Sequence, residues 1–242
     1  MLKCMLFLFV VAMWPSGVLA SEDDPSPIDA AVAKVIAAYQ AKSVMTVNTT
    51  LTLVLDTEKI SETFSTRFDS DGDLEVTTPN FNCISDDGYI SVTISGLDAV
   101  VLRRPVGEGP AKAMADIFRT DEVVPWDVAL RFQKTPGDWI SRMTFGLMPD
   151  SSFTGVSTGV MPGDDAPAMV LEITSSRGEG KLYVEPDSGL VRALVALISN
   201  PAGPEDVQTK LNIQIDTKMV KALDPPISFD TKGRKVVDSI ED

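Results

Sequence analysis

The chain has 242 residues, 35 of them acidic against 21 basic and none histidine, for a formal net charge of −14. Phosphate backbones and anionic membrane surfaces are recognised through clustered lysine and arginine, so this charge excludes both as ordinary partners and serves solubility instead. With no imidazole and only two cysteines, a Ser-His-acid relay and ordinary zinc, copper or haem ligation are excluded too, and neither a metal nor a cofactor is expected.

The first twenty residues, MLKCMLFLFVVAMWPSGVLA, set one cation, Lys3, before an apolar stretch from Met5 to Trp14, with small residues Val18 and Ala20 ahead of Ser21. That pattern predicts a secretory signal peptide over residues 1–20 and an exported protein, periplasmic or extracellular. A lipoprotein signal would carry a cysteine where Ser21 stands. No later stretch approaches the roughly 20 apolar residues a transmembrane helix needs. Cleavage removes Lys3 and Cys4, leaving 20 basic against 35 acidic residues, a net charge of −15, and Cys83 as the single thiol, so no internal disulfide is expected. Residues 21–242 are enough to bury a core as one domain.

SPIDAAVAKVIAAYQAK opens the mature chain with Ser26 as N-cap, Pro27 at the first helical position, and Ile28, Val32, Val35, Ile36 and Tyr39 on one stripe. The period then changes to two. Met45, Val47, Leu51, Leu53 and Leu55 alternate with Thr46, Asn48, Thr50 and Thr52, and Ile60, Phe64 and Phe68 alternate with polar residues, as in half-buried antiparallel strands. Short strands follow in DLEVTT, FNCIS, GYISVTIS and AVVLRRP, separated by the turn clusters DSDG and SDDG, with the spacing of a meander. Between Gly109 and Lys134 the period is helical again: Pro110 starts a segment with Met114, Ile117 and Phe118, and Pro125 a weaker one with Trp126, Ala129, Leu130 and Gln133. After TPGDW, strands resume as FTGVSTGV, AMVLEITSS, GKLYVEP, GLVRALVALIS and TKLNIQIDT, and DPPISFDTKGRKVVDSIED reads as a polar exit. Helix, strands, a helical interruption and more strands make an α+β chain, with an antiparallel sheet and its few helices on one face.

Three motifs could carry chemistry. GVSTG, Gly155–Gly159, matches the G-x-S-x-G nucleophile elbow at Ser157, but no base exists for it and its flanks are strand-like, so it reads as a glycine-containing turn or bulge. In DSDGDLE, Asp69, Asp71 and Asp73 take the first three positions of a calcium loop, yet Leu74 stands where glycine is required and Asn80 where the closing glutamate belongs, so a hairpin turn is expected. Cys83 sits near Asp86 and Asp87, whereas a reactive thiol wants cations, so it reads as a buried strand residue. No pair of carboxylates is fixed across a sugar-sized gap. The chain is read as noncatalytic.

The segment KLYVEPDSGLVRALVALIS, residues 181–199, is a hairpin in which the second strand is apolar on both faces, so both sides must be covered. With the first helix ending in AAYQAK, the TLTLVL strand, the DDGYISVTI hairpin, the helical insertion and the late PPISFDTKGRKVVD segment, the chain resembles the LolA/LolB-like lipoprotein-carrier superfamily over most of Pro27–Val237. The resemblance implies a single half-barrel domain with a polar C-terminal tail: a curved antiparallel sheet, or incomplete β-barrel, covered by the N-terminal helix and mid-chain helices. It also implies a lipid or a lipoprotein acyl chain bound on the concave apolar face, or, alternatively, an envelope sensor or scaffold with a closed interior that binds a protein partner. Alternation gives Leu53, Leu55, Phe64, Phe68, Leu182, Val184 and Leu194 as the candidate ligand lining. Met114, Met143 and Met148 suit an adaptable lid and suit an ordinary core equally.

Overall fold

The structure, a computed structural model, describes residues 25–41, 43–55, 58–97, 99–133, 138–199 and 208–237. The expected signal peptide lies outside them. Ser26 caps helix α1 (Pro27–Gln40), its hydroxyl accepting the Asp29 amide, and Ala31, Val35 and Tyr39 form the fully covered stripe, with Val32 and Ile36 partly buried beside it. The strands that follow are β1 (Met45–Leu55), β2 (Glu58–Phe68), β3 (Leu74–Thr77), β4 (Phe81–Asp86), β5 (Tyr89–Ile94) and β6 (Val100–Pro105). The helical interruption comprises α2 (Pro110–Phe118), a 3-10 turn at Asp121–Val123, α3 (Trp126–Phe132) and α4 (Trp139–Met143). Strands β7 (Ser152–Val160), β8 (Pro167–Ser175), β9 (Gly178–Val184), β10 (Val191–Ser199), β11 (Gln208–Met219) and β12 (Lys235–Val237) complete the chain.

Among the described residues all twelve strands belong to one open, curved sheet in the order β12-β6-β5-β4-β3-β2-β1-β11-β10-β9-β8-β7. The expected α+β class and incomplete barrel are what forms. Each half is a run of adjacent antiparallel neighbours, and the halves meet where β1 pairs β11. Only β12 runs parallel, against β6. Because side chains alternate between faces, register carries one row of inward residues across the sheet: Thr217, Val47, Thr66, Val76, Cys83, Val92, Leu102 and Val237 are paired in sequence, and all are buried.

The helices lie over that inner face. Their aromatic side chains make a chain from helix to sheet, with ring centroids 5.1 Å apart between Tyr39 and Trp126, 6.3 Å between Trp126 and Trp139, and 5.8 Å between Trp139 and Phe153. Segment α3, whose stripe is weak in sequence, is buried at Trp126, Asp127, Val128, Ala129 and Leu130. A short helix enclosed on every side has no polar face, so its sequence shows little periodicity. Arg131 fastens it: the guanidinium donates to the carbonyls of Tyr39, Ala41, Ser43 and Asp69. Helix α4 starts on the last residue of TPGDW and ends before FTGVSTGV, in a stretch whose sequence predicts no element, and the Asp138 carboxylate caps it by accepting the Ser141 amide at 2.8 Å.

On the two-sided strand β10, Leu194, Ala196 and Ile198 pair into the inner rows and are buried, whereas Val195 is half-buried and Leu197 is 42% exposed. The polar tail returns to the molecule. Arg67, on the outer face of β2, donates to the Pro225 carbonyl, the Phe229 amide donates to Asp86 at 3.1 Å, Ile227 is buried, and β12 pairs the edge of β6.

Candidate functional site

The seven candidate lining residues occupy three settings. Leu182, Val184 and Leu194 are fully buried in β9 and β10, and Leu171, Leu182, Leu194, Ile213 and Leu51 form one paired row in a single cluster with the helical side chains. Phe68 is equally sealed, its ring 6.0 Å from that of Phe132 and 5.2 Å beneath the Arg131 guanidinium. Leu53 and Leu55 are half-buried toward the far end of the β1–β2 hairpin, where Leu53 pairs with Ile60, itself 46% exposed. Phe64 lines a cavity.

This cavity, about 250 Å³, lies between β1, β2, the β3–β4 turn, the 3-10 turn and the end of α4. It exceeds the ~150 Å³ that encloses a benzene and falls just short of the ~300 Å³ at which drug-sized sites begin. Glu62, Asn80, Glu122 and Phe145 are its exposed lining residues, and Phe64 and Phe81 are half-buried in its walls, with the Phe64 and Phe145 rings 4.9 Å apart. Thr49, Thr66, Val124, Trp126 and Asp127 are its buried lining. The walls are aromatic and the innermost polar groups are two hydroxyls and a carboxyl.

Asp127 is 2% exposed. Its Oδ1 accepts the Val128 amide at 3.0 Å, and the Thr66 hydroxyl faces the carboxyl. Burial outweighs these contacts and pushes its pKa up to about 6. Arg142 lines the same cavity, but its guanidinium donates to the Asp121 carbonyl and so ties α4 to the 3-10 turn. On α1, burial raises the Tyr39 phenol well above its ordinary value. Its hydroxyl faces that of Thr217, and neither oxygen completes a hydrogen bond among the described residues.

Sequence reasoning missed Asp127, Glu62, Glu122 and Arg142. The one available signal is an acid flanked by Trp126 and Val128 in PWDVAL, an apolar setting in which a carboxylate is costly. The other motifs lie elsewhere. Ser157 is an exposed residue within β7, next to a register shift between Phe153 and Gly155. Asp69 Oδ1 accepts the amides of Asp71, Gly72 and Asp73 at 2.9–3.0 Å and so closes the β2–β3 turn. Among the described residues no group of three or more Cys, Asp or Glu is placed to hold a metal ion. Cys83 is fully buried and burial alone raises its thiol pKa.

No protein-family model matches the sequence, and no curated protein does. Solved structures are similar in fold at low identity. A LolA superfamily protein from Nitrosomonas europaea is 11% identical over 84% of this chain and 98% of its own, with a TM-score of 0.33. The MucA/MucB complex of Pseudomonas aeruginosa matches at 16% identity over 83% of this chain and 60% of the matched chain, with a TM-score of 0.35. A putative outer membrane lipoprotein-sorting protein domain from Vibrio parahaemolyticus is 6% identical over 80% of this chain and 92% of its own, with a TM-score of 0.32.

Proposed function

We propose that this chain is an exported, noncatalytic binding protein that holds the apolar part of a lipid or of a lipoprotein acyl chain on the concave side of its sheet. The observation that supports this reading is the cavity walled by Phe64, Phe81 and Phe145 where the helical cover is incomplete. On the same face, Leu53 and Ile60 pair beyond Phe64 and Glu62 and leave an apolar strip only partly covered. Each methylene buried there contributes about 0.8 kcal/mol, so a chain of about fifteen carbons shared between the cavity and the strip offsets an association cost of about 4 kcal/mol and reaches micromolar affinity. Native mass spectrometry after gentle purification is expected to show a bound lipid, and the ligand-free protein is expected to take up a fluorescent fatty acyl probe. Protein that is always empty and takes up no acyl probe overturns the reading.

A second reading has its own observation. The β8–β10 half of the concave face is sealed, with Leu171, Leu182 and Leu194 all at 0% exposure, as in a domain with a closed interior. Such a domain would act as a sensor or scaffold that binds an envelope protein at its rim. The acidic surface would make that contact salt-sensitive, because charges separated by more than about 8 Å are screened at physiological ionic strength. Stoichiometric recovery of a protein partner at low but not high salt, with no lipid in the cavity, favours this reading over the first.

A further inference from the structure

The cavity is apolar in its walls and polar at its inner end. Asp127 lines it while almost wholly buried, and the groups around it do not neutralise it. The Val128 amide hydrogen-bonds its carboxyl, the Thr66 hydroxyl from β2 faces it, and Thr49 from β1 lines the same cavity. The Tyr39 phenol from α1 stays uncharged. Glu62 from β2 and Glu122 from the 3-10 turn line the same cavity and add charge of the same sign. Arg142 lines the cavity and donates to the Asp121 carbonyl, Arg131 donates to the carbonyls of Tyr39, Ala41, Ser43 and Asp69, and neither guanidinium bonds the Asp127 carboxyl. A buried carboxylate without an ion-pair partner is unfavourable in its charged form, and a cation that enters the site relieves that cost.

We propose that this cavity is a binding site for a primary ammonium group carried on an apolar stem, the ammonium meeting Asp127 and the stem running out between Phe64, Phe81 and Phe145. This rests on the reading of the concave face as an apolar-ligand site and adds the ligand's polar chemistry and its orientation. An ammonium brings three donors to a cavity end that presents the Thr49 and Thr66 hydroxyls and the carboxyl. A carboxylate or phosphate head is repelled, since three acids line the cavity against one arginine. A neutral alcohol keeps the stem contacts and lacks the charge. Because burial holds the Asp127 carboxyl to about 6, the ammonium site is complete at neutral pH and is lost as pH falls through that value, while an alkylamine remains charged throughout.

The readout is intrinsic fluorescence, because Trp126 lines the cavity and Trp139 stacks near it. The exported protein is titrated with hexylamine, hexan-1-ol and hexanoate at pH 7.5. Hexylammonium is expected to bind at least tenfold more tightly than hexanol, with hexanoate weakest. Hexylamine affinity is expected to fall about tenfold between pH 7.5 and pH 5 while hexanol affinity holds, a comparison that needs no variant. Asp127→Asn is expected to erase the preference for hexylamine and keep hexanol binding. Hexanol bound as tightly as hexylamine, or hexanoate bound more tightly than either, overturns the ammonium site and leaves the apolar-ligand reading standing. Binding of none of the three overturns the ammonium site, and the acyl-probe uptake then tests the apolar-ligand reading separately.

Discussion

At the scale of single residues, the buried acid controls how stability depends on pH. Asp127 has a folded pKa of about 6, against about 4 for an unfolded aspartate. Between those values the folded state keeps a proton that the unfolded state has released, so stability falls as pH rises from about 4 to 6 and is level above that. A shift of two units corresponds to roughly 3 kcal/mol. Asp73 acts in the same direction: partial burial first, and then the neighbouring acids Asp69, Asp86, Asp71 and Asp87, push it up to about 6. Its exposure to solvent makes its share smaller. Urea unfolding of the wild type is therefore expected to give a higher free energy at pH 4.5 than at pH 7.5, and Asp127→Asn to remove most of the difference. A variant with an unchanged pH slope would show that this acid does not carry it.

At the scale of elements, the β9–β10 hairpin is fitted to α1. Gly189 sits in the turn at φ +77°, and a Cβ there would stand 2.8 Å from the Lys34 carbonyl of α1. Lys34 in turn donates through its ammonium to the Pro186 carbonyl, so helix and turn hold each other from both sides. Left-handed backbone and a backbone obstacle both oppose a side chain. Gly189→Ala is expected to cost about 2–3 kcal/mol, more than the ~1 kcal/mol of an ordinary left-handed glycine, and thermal melts compare it with Gly233→Ala, where φ is +78° but nothing lies within 4 Å. Equal losses at the two sites would mean that the contact with α1 is unimportant.

At the scale of the whole molecule, the tail works as a strap. It spans the outer side from Arg67 and Pro225 to Asp86 and Phe229, and ends by pairing Lys235, Val236 and Val237 with Val100, Val101 and Leu102. An uncovered edge strand is a template for pairing with other chains. A chain truncated after Leu223 is expected to melt at lower temperature and to self-associate through β6, seen as a shift to higher mass in size-exclusion chromatography with light scattering. A monomeric truncation with unchanged melting would remove the strap's role.

Local patterning decided the elements, and neighbours distant in sequence decided the site. The cap and stripe of α1, the period-two run of β1 and β2 and the EPDSG turn are properties of adjacent residues, so these elements could be read directly, whereas α4 and the pairing of β12 with β6 could not. Alternation also put Leu182, Val184 and Leu194 on the inner face, where they are. It could not tell a filled face from an open one, because that depends on which helical side chain arrives overhead: Phe132 and Arg131 of α3 close over Phe68, whereas Phe64 lies beside Phe145 at a cavity. Asp127 became a buried charge only when the curved sheet brought Thr66 to it from 61 residues away in the chain. A sequence specifies faces through its period, whereas a cavity is what packing leaves unfilled, and no local rule encodes that remainder.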